Sequence, residues 1–258
     1  MQEMLKRQSE NFLARYPKIF FCHVPKCAGV SLSKAIYAST YPLWLKATRY
    51  TGYIDLKSSQ AAAELLGIDM MTARETQLVF QLNDPQMRYT NGHCVANPQV
   101  VSKYCNDWHF ITILRDPVKR FISEYVYNRF KASAWQKHDQ ELLQYLESDK
   151  AVSSALTYAR YFSGEKDSHT ILANAQQTVN AALANLNNFS VTGTLENMPL
   201  WQSKFNQTFD TKINIASQNK SPNQQAYTDI TSDPEVMAKI RKICEIDYEI
   251  FNAVNTQA

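Results

Sequence analysis

Two apolar runs dominate the pattern of hydrophobic and polar positions along the chain. Residues 18–24 and 108–114 are compact, apolar and rich in β-prone side chains, and each run stops abruptly at a proline-containing turn. A short apolar run bounded by turn signals predicts a buried strand. The segments that follow, starting at residues 31 and 117, have helical composition. The pattern therefore predicts a strand–loop–helix unit that occurs twice.

The rest of the chain supplies more helices than strands. Short strands are predicted at 88–93 and 189–193, whereas 40–57 has no clear periodicity and 217–232 reads as a polar, mobile loop. The predicted helices cover residues 2–14, 31–36, 58–66, 70–82, 117–131, 138–148, 151–162, 169–186 and 234–254. Strands that alternate with helices favour an α/β, three-layer sandwich around a central, mostly parallel sheet. Ligands of such sheets bind beyond the carboxyl ends of the strands.

Composition limits the domain count and the partners. The 258 residues contain 45% hydrophobic and 20% charged side chains with no linker, which favours a single domain over 1–258 with an acceptor-side insertion at about 40–85. A net charge of +3 is too small for a polyanion-binding surface, so no nucleic-acid partner is predicted and any anion must be bound by a few placed cations.

The cysteines and the amino terminus bear on the compartment. The cysteines form an odd set without a CxxC pair or metal-ligand spacing: Cys22, Cys27, Cys94, Cys105 and Cys244. Such a set favours reduced thiols and no metal site. The chain has no signal-peptide core and no run of ~20 apolar residues. We therefore expect a cytoplasmic protein without a membrane segment, although a form trimmed of an anchor would look the same.

The first loop, residues 25–31, has the form of an anion-binding turn. A loop between a buried strand and a helix directs free backbone N–H groups and the positive end of the helix dipole at one point. Gly29 permits a close backbone approach, Ser31 offers a hydroxyl, and Lys26 brings a charge that can stabilise a leaving oxygen. Lys26 precedes Gly29, so the order is not that of a Walker A loop. Taken alone, the segment also fits a plain turn with a surface lysine.

The second loop offers different chemistry. Arg115 ends a strand, Asp116 and Pro117 are favoured residues at a helix start, and Ser123 lies in the second turn of the helix. A guanidinium and a hydroxyl can clasp a second phosphate. Alone, Arg115 could equally pair with a carboxylate. Together, two anion sites at one sheet edge suit a nucleotide that carries phosphates at both its 5′ and 3′ positions.

Both loops resemble the motifs of one enzyme family. Residues 21–32, Phe-Cys-His-Val-Pro-Lys-Cys-Ala-Gly-Val-Ser-Leu, resemble the 5′-phosphosulfate loop FxHxPKTAGTSL of carbohydrate sulfotransferases, and residues 113–125 resemble their 3′-phosphate motif LRDPxxRxxSxY. Cys27 and Val30 stand where threonine is common, which removes two possible hydroxyl contacts. Weaker resemblance extends through 191–196 and 246–251.

The resemblance implies a P-loop-like sulfotransferase fold and a donor. The donor is 3′-phosphoadenosine-5′-phosphosulfate (PAPS), the product is adenosine 3′,5′-bisphosphate, no metal takes part, and the acceptor is a glycan or another hydroxyl compound. The implied donor-binding residues are Pro25, Lys26, Cys27, Ala28, Gly29, Val30, Ser31, Leu32, Arg115 and Ser123. Asn219 and Lys220 lie in a late polar stretch which, as in related enzymes, would cover the donor.

Sulfuryl transfer also needs a base for the acceptor hydroxyl, and histidine suits this near neutral pH. Tyr89-Thr90-Asn91-Gly92-His93 resembles the Gly-His segment that carries the base in heparan and related uronyl sulfotransferases, so His93 is the predicted base, with Lys26 as the second catalytic residue. His23 is the runner-up and is expected to be structural. We expect structural roles for the others, which are His109, His138 and His169.

Two other functions remain open from the residues alone. A kinase would use ATP and Mg²⁺, against which the missing Walker A order and the lack of a paired metal-carboxylate motif both weigh. A non-catalytic module could bind sulfated or phosphorylated ligands without transferring anything. The aromatic residues of the acceptor-side segment could stack on sugar rings or simply pack: Tyr41, Trp44, Tyr50 and Tyr53.

Overall fold

A parallel sheet forms the centre of the computed structural model, which describes residues 8, 10–215 and 223–256. Its strands are β1 Ile19–Cys22, β2 Thr51–Ile54, β3 Tyr89–Gly92 and β4 His109–Ile111. They lie in the order β2-β3-β1-β4, and each neighbouring pair is parallel. The predicted α/β fold class is therefore confirmed.

The register brings the carboxyl ends of the strands to one edge. Cys22 pairs with Gly92, and Phe21 pairs with Ile111. The residues that follow each strand, His23, His93 and Thr112, consequently leave the sheet side by side. The predicted strand at 189–193 is present as an irregular extension beside β4, since it makes parallel bridges from Val191 to Ile111 and from Thr194 to Leu114.

Helices surround the sheet. In chain order they are α1 Gly29–Thr40, α2 Leu56–Leu66, α3 Met70–Asn83, α4 Pro98–Tyr104, α5 Pro117–Phe130, α6 Leu142–Leu146, α7 Asp149–Ala155, α8 Thr157–Phe162, α9 Ser168–Ala173, α10 Ala175–Leu186, α11 Met198–Phe209, α12 Gln224–Thr231, α13 Pro234–Ile243 and α14 Glu245–Thr256, with 3-10 helices at Leu43–Ala47 and Leu195–Asn197. Of the predicted helix at 2–14, residues 10–13 are helical. The prediction for 117–131 is confirmed, and the Asp116 carboxylate caps α5 by accepting the Lys119 N–H at 2.9 Å.

Three predicted helices are each divided in two. The breaks fall at Leu156, Asn174 and Cys244, so 151–162, 169–186 and 234–254 become α7–α8, α9–α10 and α13–α14. None of the three residues is glycine or proline. The predicted helix at 138–148 is observed only over Leu142–Leu146.

Two segments differ from the prediction in kind. The stretch 40–57 contributes β2 to the sheet edge, which the absence of periodicity had concealed because three of its four residues are not fully buried. The segment 217–232, predicted as a mobile loop, contains α12, whose cap Asn223 accepts the Ala226 N–H at 2.9 Å; residues 217–222 lie outside the described part. Whether 40–85 faces an acceptor stays a prediction.

The core explains why the two apolar runs were so clear. Every residue of β1 is inaccessible to solvent, because helices cover both faces of the sheet. Phe20 packs edge-on against Phe110 of β4 at 5.6 Å between ring centroids. Trp201 of α11 donates its indole N–H to the Thr112 carbonyl at 2.9 Å, which fixes the end of β4. In the described part of the chain, no helix combines the length and apolarity needed to cross a membrane.

Candidate active site

The first loop turns sharply between β1 and α1. Lys26 and Ala28 both have left-handed backbone conformations, with φ of 66° and 55°. Ala28 is the residue before α1 and offers no side-chain cap to that helix. The first N–H groups of a helix have no intrahelical acceptor, and they attract anions. The loop therefore presents backbone donors at the carboxyl edge of the sheet, as its position between strand and helix predicted.

Gly29 is required by a histidine. A Cβ atom added at this position would lie 1.7 Å from the His23 imidazole. Gly29 was predicted to permit a close backbone approach, and the structure shows such an approach to the side chain of His23, which directly follows β1. His23 is in turn stacked on Phe21, with nearly parallel rings 5.7 Å apart.

The other residues of the first loop divide into exposed and buried. Pro25 is partly buried, Ser31 is largely buried and Val30 is exposed. Cys27 and Leu32 have no solvent exposure, so their side chains belong to the core. Their place among the donor-binding residues stays a prediction, which their backbone atoms rather than their side chains would have to fulfil.

Lys26 carries the positive charge of the loop. Its ammonium lies 3.9 Å from the centroid of the Tyr127 ring on α5, a cation–π contact. Burial lowers the pKa of Lys26 to about 8; the Glu124 carboxylate opposes this, and neighbouring cations add to it. The ammonium of Lys131 lies 5.3 Å from the same ring and donates to Asn128 Oδ1 at 2.7 Å. Two ammonium groups thus lie close to the Tyr127 ring.

The second loop contacts the first directly. Arg115 follows β4, and its Nη1 donates a hydrogen bond of 3.2 Å to the backbone carbonyl of Lys26. Ser123, partly buried on α5, lies one turn before Tyr127 and shares its helix face. Arg115 and Lys26 thus lie in contact across the two loops, while a shared grip of these residues and Ser123 on a nucleotide stays a prediction.

The second arginine of the LRDPxxRxxSxY segment plays a different part. Arg120 is wholly buried and donates to Glu124 Oε2 at 2.5 Å, to Ser154 Oγ at 3.2 Å and to the Ser154 carbonyl. Burial tends to raise the pKa of Glu124, but the Arg120 charge and the hydrogen bonds from Ser154 and Arg120 outweigh it, and the pKa is lowered. An ionised carboxylate therefore lies among the cations and joins α5 to α7.

The hydrogen bonding of His93 fixes its neutral tautomer. Its Nδ1 lies 2.7 Å from the carbonyl oxygen of His23. A carbonyl can only accept, so Nδ1 carries the proton and the lone pair is on Nε2. Burial lowers the pKa of His93; Arg74 and Lys26 lower it further, while the hydrogen bond to His23 and the charge of Glu124 raise it. The charges of Lys26 and Glu124 thus act on the pKa of His93 in opposite directions.

His23 adjoins His93, with ring centroids 4.1 Å apart, and the structural roles expected for His23, His109, His138 and His169 stay predictions. His23 is buried beneath the loop, and burial holds its pKa well below the ordinary value. His109 lies at the amino end of β4 and is bonded to Ser190 Oγ at 2.8 Å. His138 is stacked on Tyr145, with ring centroids 4.7 Å apart, and His169 is exposed.

The predicted aromatic platform is only partly available. Tyr41 is buried, and its hydroxyl donates to the Pro17 carbonyl at 2.8 Å, so it is a core residue. Tyr50 packs against the core, whereas Trp44 and Tyr53 are about half exposed. Asn219 and Lys220, predicted to cover the donor, lie outside the described residues. Within residues 10–215 and 223–256, no three histidine, cysteine or acidic side chains are grouped so that they could hold a metal ion.

Several residues of the site escaped the sequence analysis. Tyr127 lies four residues after Ser123 on α5, and Lys131 directly follows the last residue of that helix; the interval of four was a usable signal. Arg74 of α3, which donates to the His93 carbonyl at 2.9 Å, and Tyr158 of α8 offered none, because neither adjoins a motif.

These features define the class of protein: a parallel α/β fold whose sheet edge combines backbone donors, a lysine and an arginine for an anionic group, beside a histidine. The Sulfotransferase family profile matches residues 10–252, and the chain belongs to that family. No curated protein matches the chain. Sulfotransferases move a sulfuryl group to an acceptor and generally use PAPS as the donor.

Proposed function

We propose that this sulfotransferase takes its sulfuryl group from PAPS and transfers it in line to a hydroxyl of a carbohydrate, with His93 as the base. The observation that carries the proposal is the 3.2 Å hydrogen bond between Arg115 and the Lys26 carbonyl. It joins the two loops that would bind opposite ends of one nucleotide. Had the loops lain apart, a single adenosine could not span them.

The residues present fit such a donor. The uncapped start of α1 and the Lys26 ammonium suit a 5′-phosphosulfate, since backbone N–H groups and a point charge both stabilise phosphate oxygens. A guanidinium has about five N–H donors. Arg115 uses one on the Lys26 carbonyl, which leaves others for a 3′-phosphate beside Ser123.

The roles of the catalytic side chains follow from their charges. PAPS supplies an activated sulfuryl group, and adenosine 3′,5′-bisphosphate is the leaving product. Lys26, protonated below a pKa of about 8, would stabilise negative charge on the leaving oxygen. Nε2 of His93 would accept the proton of the acceptor hydroxyl, because Nδ1 already donates to His23. The carbohydrate class of the acceptor rests on the resemblance of the two motifs.

Donor binding can be measured by isothermal titration calorimetry with adenosine 3′,5′-bisphosphate in the absence of metal. We expect wild-type binding, and a loss of about thirtyfold or more in Lys26→Ala and in Arg115→Ala, because each removes a charge-assisted hydrogen-bond donor. The exposed Lys239 gives the matched control Lys239→Ala, which should bind normally. Preference for Mg-ATP, or full binding by both loop variants, would refute the donor assignment.

Transfer can be measured with radiolabelled PAPS and a panel of glycans, small phenols and tyrosine peptides. We expect labelled glycan from the wild type and a loss of ~10² or more in turnover for His93→Ala, the usual contribution of a general base. His169→Ala is the control, since His169 is exposed and outside the site. Wild-type turnover by His93→Ala would place the base elsewhere, and label only on peptides would exclude the carbohydrate acceptor.

A further inference from the structure

The Arg115 loop is held by a buried tyrosine distant in sequence. The hydroxyl of Tyr158 accepts the Arg115 N–H at 2.9 Å and donates to the Arg115 carbonyl. It also lies 3.7 Å from Sγ of Cys27 in the first loop. Tyr158 is entirely buried. One hydroxyl therefore contacts both loops and fixes the backbone of Arg115 on both sides.

The tyrosine is itself fixed by the carboxyl-terminal helix. Asp247 of α14 is wholly buried, and its two oxygens accept the backbone N–H groups of Tyr158 and Ala159 at 2.8 and 3.0 Å. The carboxylate thereby holds the start of α8, the helix that carries Tyr158. The next residue, Tyr248, donates to Oδ2 of Asp116 at 2.7 Å. The tail segment 246–251 thus supports residues 115 and 116 from two directions.

These contacts hold the backbone of Arg115, and the position of the backbone determines where its guanidinium lies. The side chain extends from a backbone held by Tyr158 to the Lys26 carbonyl in the other loop. Asp116 cannot shift independently, because one of its oxygens caps α5 and the other is bonded to Tyr248. A small displacement of the loop would move the guanidinium away from its acceptor, and misplacement of about 1 Å can be costly for a binding group.

We propose that Tyr158, held by Asp247, is a positioning residue for donor binding: it sets the Arg115 backbone so that the guanidinium meets the 3′-phosphate. The inference rests on the proposed function, since it assigns a role to residues that touch no ligand. It also assigns a function to Asp247 and its neighbour Tyr248, which lie far from either loop in sequence.

The first test is Tyr158→Phe, which removes only the hydroxyl. We expect adenosine 3′,5′-bisphosphate to bind about tenfold more weakly, the effect of losing one or two hydrogen bonds. The KM for PAPS should rise by a similar factor with kcat almost unchanged, since the reacting groups are untouched. Tyr41→Phe is the matched control: its hydroxyl is bonded to the Pro17 carbonyl at the opposite edge of the sheet, so stability falls but binding does not.

A double-mutant cycle separates positioning from a general effect on the fold. In an Arg115→Ala background, Tyr158→Phe should weaken binding no further, because the guanidinium that it positions is absent. Equal weakening in both backgrounds would overturn the proposal. If Tyr158→Phe does not fold, Asp247→Asn provides the same test, since it keeps one acceptor oxygen and should weaken binding a few-fold only while Arg115 is present.

The outcomes distinguish this inference from the function on which it rests. Failure of the wild type to bind adenosine 3′,5′-bisphosphate would overturn the donor assignment, and the positioning role with it. Normal wild-type binding together with unchanged affinity in Tyr158→Phe and Asp247→Asn would overturn the positioning role alone.

Discussion

The two loops at the sheet edge both join a strand to a helix, but different contacts hold them in place. The first is shaped by its own backbone and by the strand before it: Lys26 and Ala28 are left-handed, and Gly29 packs against the His23 ring. The second has no left-handed residue and is fixed from outside, by Tyr158 and by other side chains of later elements. Two loops in equivalent positions of the fold can therefore differ in the substitutions that they tolerate. The first loop should be sensitive to added volume, and the second to the loss of remote hydrogen bonds.

The largest effect is expected where volume is added to the first loop. In Gly29→Ala the new methyl would lie 1.7 Å from the His23 imidazole, so either the ring or the loop must move. Overpacking of this kind typically costs about 1–3 kcal/mol. We expect a lower thermal unfolding midpoint and a loss of ~10² or more in affinity for adenosine 3′,5′-bisphosphate, measured by scanning fluorimetry and calorimetry.

The control for this variant is Gly67→Ala. Gly67 ends α2 with a φ of +62°, and no atom lies within 4 Å of an added Cβ, so the change strains the backbone without a collision. It should lower stability by about 1 kcal/mol, because an alanine is strained in the left-handed conformation, and leave binding unaffected. A Gly29→Ala protein with normal affinity would show that the first loop is not limited by volume.

A smaller effect is expected when Lys26 is replaced by a cation with a higher pKa, so that the positive charge of the first loop is kept. In the free enzyme, kcat/KM should rise with pH as His93 loses its proton. This acid limb should lie below pH 6.5, because the pKa of His93 is lowered from its ordinary value of about 6.5. It should fall above about pH 8, where Lys26 loses the proton that makes it a cation. Lys26→Arg should remove the alkaline limb, because a guanidinium stays protonated, and leave the acid limb in place.

Steady-state transfer rates between pH 5 and 10 would test this, with Lys239→Arg as the control that keeps the bell shape. We expect Lys26→Arg to be about tenfold less active at its optimum, since a planar fork does not replace a point charge without loss. An alkaline limb that survives in Lys26→Arg would mean that another group titrates there.

Parts of this architecture were predictable because burial leaves a trace in sequence. β1 and β4 are enclosed on both faces, so they read as continuous apolar runs, and their shared direction placed Lys26 and Arg115 at one edge. β2 was missed because only Ile54 of that edge strand is buried. The helix breaks at Leu156 and Asn174 carry no glycine or proline, so periodicity alone ran through them.

The site shows the same division. The prediction of His93 as the base rests on the resemblance of its segment, and its tautomer could not be known until the His23 carbonyl was seen to accept from Nδ1. Arg120 belongs to the recognised motif yet serves the core. Tyr158 was out of reach, because its contact with Arg115 spans 43 residues and exists only once α8 has packed. Local sequence patterns predict where a loop lies, whereas the contacts that hold the loop come from residues that are distant in sequence.

The smallest effect is expected at the exposed support of the second loop. Glu196 accepts the Asp116 N–H at 3.2 Å and pairs with Lys119 at 3.7 Å, but the Lys119 side chain is 54% exposed. Exposed ion pairs contribute about 0–1 kcal/mol, and glutamine keeps an oxygen for the Asp116 N–H. Glu196→Gln should therefore change the affinity for adenosine 3′,5′-bisphosphate by less than about threefold in calorimetry, well below the effect of Tyr158→Phe. A loss of tenfold or more would equal the effect expected for Tyr158→Phe. It would mean that the solvent-exposed contacts of Glu196 hold the second loop as firmly as the buried hydrogen bonds of Tyr158.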